Sequence, residues 1–164
     1  MRVLIAGYPG QLAKAIIAEL IRNNIVFLAP PHYDFDITNN YQINNMISAF
    51  KPDVIINCAA YNSVEYAEED MEKAININYK AVEYLVREAE NNKIKLVHFS
   101  TDYVFDGSKN SLYVETDKPN PLNLYGKSKL AGENAALSYD NSLVFRISWV
   151  IGYGKNNFLY KFTN

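Results

Sequence analysis

Tyr125 and Lys129 stand four residues apart in the stretch NLYGKSKLAGE, residues 123–133. On a helix that spacing puts a phenol and an ammonium on one face. Two readings fit. In one the pair delivers a proton, the cation bringing a phenol of ordinary pKa about 10 into use near neutral pH. In the other it is an aromatic and a charge on a solvated face. The chain has thirteen tyrosines, so about one Tyr-x-x-x-Lys is expected by accident, and the spacing alone leaves both readings open.

A second candidate is GYPGQLA, residues 7–13, which follows an apolar run and opens a helical pattern. Glycines let a backbone approach a pyrophosphate, and a helix N-terminus offers N–H groups and a favourable dipole. The plain alternative is a type II turn with Pro9 second and Gly10 third. About twenty residues further on, a carboxylate would hold a ribose 2′-hydroxyl and an arginine a 2′-phosphate. APPH, residues 29–32, supplies neither, so NADPH and NADH both stay candidates.

HFSTDYVFDG ends another apolar run, which would project Ser100, Thr101 and Asp102 from a strand end as hydrogen-bonding groups for a substrate carbonyl. The same residues also simply end strands and start turns. In NCAAYNSVEYAEED, small Ala59 and Ala60 would let a cofactor lie close, and the acidic run 65–70 suits a solvated helix start. Cys58 reads as a small core residue. Trp149 is either core or the wall of a sugar site.

These groups need elements to position them. Residues 3–6, 25–29, 53–59, 95–100 and 142–148 are short apolar runs rich in β-branched or aromatic side chains, as in strands buried on both faces of a parallel sheet. Between them, helical spacing covers residues 11–23, 41–50, 64–91 (as two helices) and 124–137. Alternating strands and helices predict an α/β, doubly wound parallel sheet, Rossmann-like. With residues 33–36 as a very short extra strand it has six strands, in the order 3-2-1-4-5-6. Residues 106–123 form a loop long enough to cover a site, and a further helix begins near the end of the chain. The expected organisation is one dinucleotide-binding domain over residues 1–164, with a C-terminal substrate portion largely missing.

A length of 164 residues suits one domain with a real core, and 49% hydrophobic with 21% charged residues is ordinary globular composition. The formal net charge of −2 gives no footprint for nucleic acid or an anionic membrane. No apolar run is long enough to span a bilayer, and the first run is too short for a signal peptide. One cysteine and two histidines give neither an internal disulfide nor a Cys/His metal cluster, so no metal is expected. A cytoplasmic location is the default.

The order of the motifs is more specific than any one of them. The glycine turn is followed by PDVIINCAAYNSVEYAE, STDYVFDG, ETDKPNPLNLYGKSKLAGE and FRISWV. In this arrangement the chain resembles the extended short-chain dehydrogenase/reductases, and within them the dTDP-4-dehydrorhamnose reductase family, over essentially its whole length. The resemblance implies that a nicotinamide coenzyme reduces the C4 ketone of a nucleotide-linked 4-keto-6-deoxy sugar. Thr101, Tyr125 and Lys129 would be catalytic: Tyr125 supplies the proton, Lys129 the cation and a contact to the nicotinamide ribose, and Thr101 polarises the carbonyl. Cofactor contacts carry over to Gly7, Gly10, Gln11 and Leu12 at the pyrophosphate and to Asp36 and Ile37 at the adenine. Ala60, Tyr61 and Asn62 would lie along the ribose and phosphates, with Phe99 at the nicotinamide beside Tyr125 and Lys129. Asp102 and Trp149 join Thr101 and Tyr125 toward the sugar.

Tyr61-Asn62 stands where the family usually has His-Thr, and Ala13 where its glycine turn often ends in Gly. Tyr103 occupies the place of the glutamate that nucleotide-sugar dehydratases use as an acid, which favours ketone reduction over dehydration. Expected partners are the nucleotide-sugar substrate and, in a homodimer, a second copy. Rival readings are a non-catalytic coenzyme-binding regulatory subunit and another nucleotide-sugar epimerase or reductase.

Overall fold

The computed structural model describes residues 1–151. Five strands, β1 (Arg2–Ala6), β2 (Val26–Leu28), β3 (Val54–Asn57), β4 (Lys95–Thr101) and β5 (Ser142–Ile147), form one sheet in the order β2-β1-β3-β4-β5. Every pairing is parallel, with Leu4 beside Ile55 and Ile55 beside Leu96. The central strands β1 and β3 read as continuous apolar runs because helices cover both of their faces, whereas Leu143 and Phe145 of β5 stand exposed on one face. On one face Val3 and Ile5 pack on Ala13 and Leu20 of α1 (Gln11–Arg22). On the other, Leu4, Ile55 and Leu96 pack on a second layer of helices. That layer comprises α2 (Asn40–Phe50), the stretch α3 (Met71–Ile75) to α4 (Ala81–Asn91), and α5 (Leu124–Leu137). Each fully buried Leu or Ile there contributes about 1.5–3 kcal/mol.

The doubly wound parallel sheet is as expected, with one strand fewer. Residues 33–36 are a turn, not a strand. Asp34 and Phe35 both donate their N–H to the Pro31 carbonyl at 3.0 Å, and this curls the segment so that Phe35 is buried in the core rather than pairing. Without that strand, the expected 3-2-1-4-5-6 becomes 2-1-3-4-5 after renumbering, the order observed.

The region 64–91 also differs from two separate helices. Residues 64–69 are turns, and α3 runs into α4 through a π-helical turn, Asn76–Lys80. The Asn78 side chain occupies that widened turn. It accepts from Tyr61 N–H (2.8 Å) and donates to the Tyr61 carbonyl (3.1 Å) and to Ser128 Oγ on α5 (3.0 Å). A Cβ on Gly132 of α5 would overlap the Asn78 carbonyl, so the two helices meet backbone to backbone there. The further helix expected near the end of the chain lies outside the described residues.

Candidate active site

The glycine turn sits where β1 meets α1. Gly10 N–H donates to the Gly7 carbonyl at 2.8 Å, closing a four-residue turn with a cis Tyr8-Pro9 peptide. Pro9 is therefore third in the turn, as in type VI, and not second as in type II. Gly7 has φ +95°, and a Cβ there would lie 2.6 Å from Ala59 N and from the Cys58 carbonyl carbon. Only glycine fits that position. No side chain caps α1 and no acidic residue stands in its first turn, so its N-terminus is left open.

A cavity of about 940 Å³ opens at this turn, and Gly7, Gly10, Asp36, Ile37, Ala60 and Asn62 all line it. Asp36 is held there by Thr38, whose N–H and hydroxyl both reach Asp36 Oδ1 at 2.8 Å. Gln11 opens α1 and donates to the Val150 carbonyl (3.1 Å), and Leu12 follows it, half-buried. Tyr61 is fixed by its two bonds to Asn78 and does not line the cavity. Lys73 and Lys80, which the sequence reading passed over, stand on the wall. They come from the helix after the NCAAYN segment, where two cations seven residues apart were the available signal. Burial pushes the Cys58 thiol up to about 12, which suits an inert core residue.

The second group gathers where β4 meets α5. Lys129 is 2% exposed and its Nζ donates to the Phe99 carbonyl at 2.6 Å. Burial lowers it to about 8, against the pull of Glu133 one turn along. Tyr125 is also buried, with its ring edge-on to Tyr103 at 5.5 Å. Burial raises its phenol, and the nearby Thr101 hydroxyl partly offsets this. The spacing of the pair predicts a cation that makes the phenol more acidic. The Lys129 ammonium is instead aimed at a backbone carbonyl, and desolvation of the phenol wins.

Thr101 donates to Asp102 Oδ1 (3.0 Å), and Asp102 Oδ2 accepts from Ser148 (2.7 Å). Asp102 and Trp149 line another cavity of about 940 Å³, bounded by β5 and the 106–123 loop. Asp106 anchors that loop by accepting from Ser108, Tyr113 and Asn120, which hold its carboxyl well below the usual range. Ser100 does not project into the crevice. Strand alternation places it with Leu96 and His98 on the helix-covered face, fully buried, with no partner for its hydroxyl among the described residues.

The structure thus brings Thr101, Tyr125, Lys129 and Phe99 together, places six expected cofactor contacts in one cavity, and sets Asp102 and Trp149 on the next. A nicotinamide dinucleotide fits what is present: an uncapped helix start, a turn with no room for a Cβ, small Ala59 and Ala60, and a buried cation at the far side. Among the described residues no three His, Cys, Asp or Glu side chains converge as metal ligands.

Residues 1–164 match the family described as RmlD substrate binding domain. The chain belongs to that family. A dTDP-4-dehydrorhamnose reductase of Aggregatibacter actinomycetemcomitans is 42% identical over 160 residues, covering 96% of this chain and 54% of that protein. The crystal structure of a dTDP-4-dehydrorhamnose reductase from Clostridium acetobutylicum superposes with a TM-score of 0.95 at 36% identity, over 99% of this chain and 58% of that one. The enzyme from Bacillus anthracis, solved in complex with NADP, gives 0.93 at 36% identity with the same coverage. The chain therefore spans about half the length of these relatives.

Within the family frame, the residues that sequence reasoning missed are those that support the site from behind. Asn78 fixes Tyr61 and α5, while Asn57 bonds His98 (3.2 Å) beneath Lys129. Glu133 is paired with Arg146. For Glu133 a signal existed, its place four residues after Lys129.

Proposed function

We propose that this chain is the coenzyme-binding part of an NAD(P)H-dependent reductase that acts on the C4 ketone of a nucleotide-linked 4-keto-6-deoxy sugar, dTDP-4-dehydrorhamnose to dTDP-rhamnose. The observation that carries the reading is the convergence of Thr101, Tyr125 and Lys129 at the end of β4, next to a glycine-turn crevice of dinucleotide size. A bound nicotinamide coenzyme supplies the hydride. The chain's own residues then have the proton and the ketone oxygen to manage.

Tyr125 is kept as a neutral phenol by burial, so it holds the proton that a ketone reduction consumes. Lys129 places a cation at the Phe99 carbonyl, within the strand end that the nicotinamide ribose would meet. Thr101 gives its proton to Asp102 at rest; to polarise a ketone it turns that proton to the substrate oxygen, with Asp102 left to Ser148. Tyr103 is an aromatic where a dehydratase needs an acid, which supports reduction over loss of water. Among the described residues no helix is long and apolar enough to cross a membrane. A cytoplasmic location and a homodimer belong to the same proposal, the latter to be read by light scattering.

The test is a titration of the chain with NADPH and NADH followed by nicotinamide fluorescence, with Lys129→Ala as control. Saturable binding weakened at least tenfold by the substitution is expected. A folded chain that binds neither coenzyme would overturn the reading. Product analysis with the 4-keto sugar on the longer protein then separates reduction from epimerisation.

A further inference from the structure

Tyr125, Lys129 and Glu133 form a buried row along α5 at four-residue spacing, and Lys129 and Glu133 are 2% and 1% exposed. The helix is pressed onto its neighbours, since added Cβ atoms at Gly126 and Gly132 would strike the Tyr103 and Asn78 carbonyls. Lys129 and Glu133 meet the sheet directly, at the Phe99 carbonyl of β4 and at Arg146 of β5. An ammonium in such a place loses its hydration and stays charged only if a counter-charge stands close.

The groups around Lys129 can be taken element by element. From β4 come the Phe99 carbonyl, which accepts its proton, and the His98 imidazole. The Ala59 N–H donates to Asn57 Oδ1, which fixes that amide with its NH₂ toward His98 Nδ1. His98 is thereby held as the Nε2–H tautomer, neutral, and supplies no negative charge. Asp102 and Tyr103, beyond the end of β4, act on Tyr125. The buried carboxylate on the same face as Lys129 is Glu133, one turn along α5. From β5, Arg146 holds that carboxylate through Nε (3.1 and 3.2 Å) and Nη2 (2.5 Å). Arg146 is itself fixed over the Phe105 ring at 4.9 Å and by the Glu115 carbonyl at 3.4 Å.

We propose that Glu133 is a positioning residue for Lys129: its buried carboxylate, clamped by Arg146, is the counter-charge that keeps the ammonium charged, and so sets the upper pH limit of coenzyme binding. Arg146 holds Glu133 in place. The link to the coenzyme rests on the reading of the crevice given above; the charge-setting role does not.

The test uses the free chain labelled with ¹³C at lysine Cε, titrated between about pH 6 and 11 by ¹H–¹³C spectra, with Lys129→Met to assign the signal. Lys129 should titrate near 8, apart from the exposed lysines. Glu133→Gln, which keeps an acceptor for Arg146, should lower that midpoint by about one pH unit or more. Glu133→Asp should restore part of the shift. The alkaline limit of NADPH binding should move down by the same amount. An unmoved midpoint in folded Glu133→Gln overturns the proposal, because a merely structural carboxylate changes stability and not titration. A midpoint that moves while the binding limit stays put overturns the link to the coenzyme. A midpoint that moves in a chain binding no NADPH at all upholds the charge-setting role and overturns the coenzyme reading instead.

Discussion

Helices α1 and α5 begin in opposite ways. At the start of α1 the capping position is Gly10, no side chain caps the helix and no acid stands in the first turn. At the start of α5, Asn123 accepts from Gly126 N–H (2.7 Å), and Glu68 reaches across to accept from Leu124 N–H (2.7 Å). A helix start left open beside a cavity keeps its N–H groups and dipole for an anion. One filled by the protein's own acceptors fixes the helix instead. Their interiors differ as well: α1 buries Ala13 and Leu20, whereas α5 buries Tyr125, Lys129 and Glu133. The first helix leaves its start open and is stabilised by ordinary apolar packing. The second holds reactive groups in place and pays in desolvation for doing so.

The most severe way to break the α1 side is Gly7→Ala. The substitution puts a side chain at φ +95° and within 2.6 Å of the backbone at the end of β3. The left-handed conformation and the clash together should cost about 3 kcal/mol or more. Denaturant unfolding should show that loss, and NADPH binding should disappear with it. A variant of wild-type stability that still binds NADPH would show that the turn is not the tight cradle described.

On the α5 side, Lys129→Met should have the opposite sign on stability. The Lys129 pKa is lowered on folding, from 10.5 to about 8. Between those values the unfolded chain binds more protons than the folded one, so this group makes stability rise with pH across the window and its penalty is full below about pH 8. The lowering corresponds to about 3 kcal/mol at 1.36 kcal/mol per pH unit. The Phe99 carbonyl left without its donor offsets part of that, leaving a gain of about 1–2 kcal/mol at pH 7. Thermal unfolding should show a raised Tm at pH 7 and a smaller difference at pH 10.5, while NADPH affinity falls at least tenfold. A lowered Tm would mean that the buried ammonium is a net structural asset.

The same contrast explains what the sequence made legible. The apolar runs and the glycine turn are local signals, and they placed five strands and the α1 start to within a residue or two. The spacing of Tyr125 and Lys129 gave their shared face. The turn at residues 33–36 is hidden in the sequence because YDFD has strand-like aromatics, and what overrides them is the carbonyl of Pro31 capturing two N–H groups. The π-helical turn at Asn78 depends on Tyr61, Ser128 and Gly132, remote in sequence, so no local pattern announces it. Protonation is the least legible property. Burial from several elements makes Tyr125 harder to ionise, whereas the pair taken alone suggested the reverse.

The mildest perturbation tests the filled helix start itself. Glu68→Gln keeps an oxygen that can accept from Leu124 N–H and removes only the charge facing the positive end of α5. Glu68 is exposed, so the loss should be about 0.3–0.5 kcal/mol at low ionic strength. It should shrink toward zero in about 1 M salt, where screening acts over a few ångströms. Because Asn123 still caps Gly126, α5 should keep its start and Tyr125 its place, leaving NADPH affinity unchanged. A loss that persists in salt would assign the contribution of Glu68 to its hydrogen bond rather than to its charge. A matching loss of NADPH affinity would mean that the two helix starts are coupled through the site, and that the division between an open helix start and a filled one is too sharp.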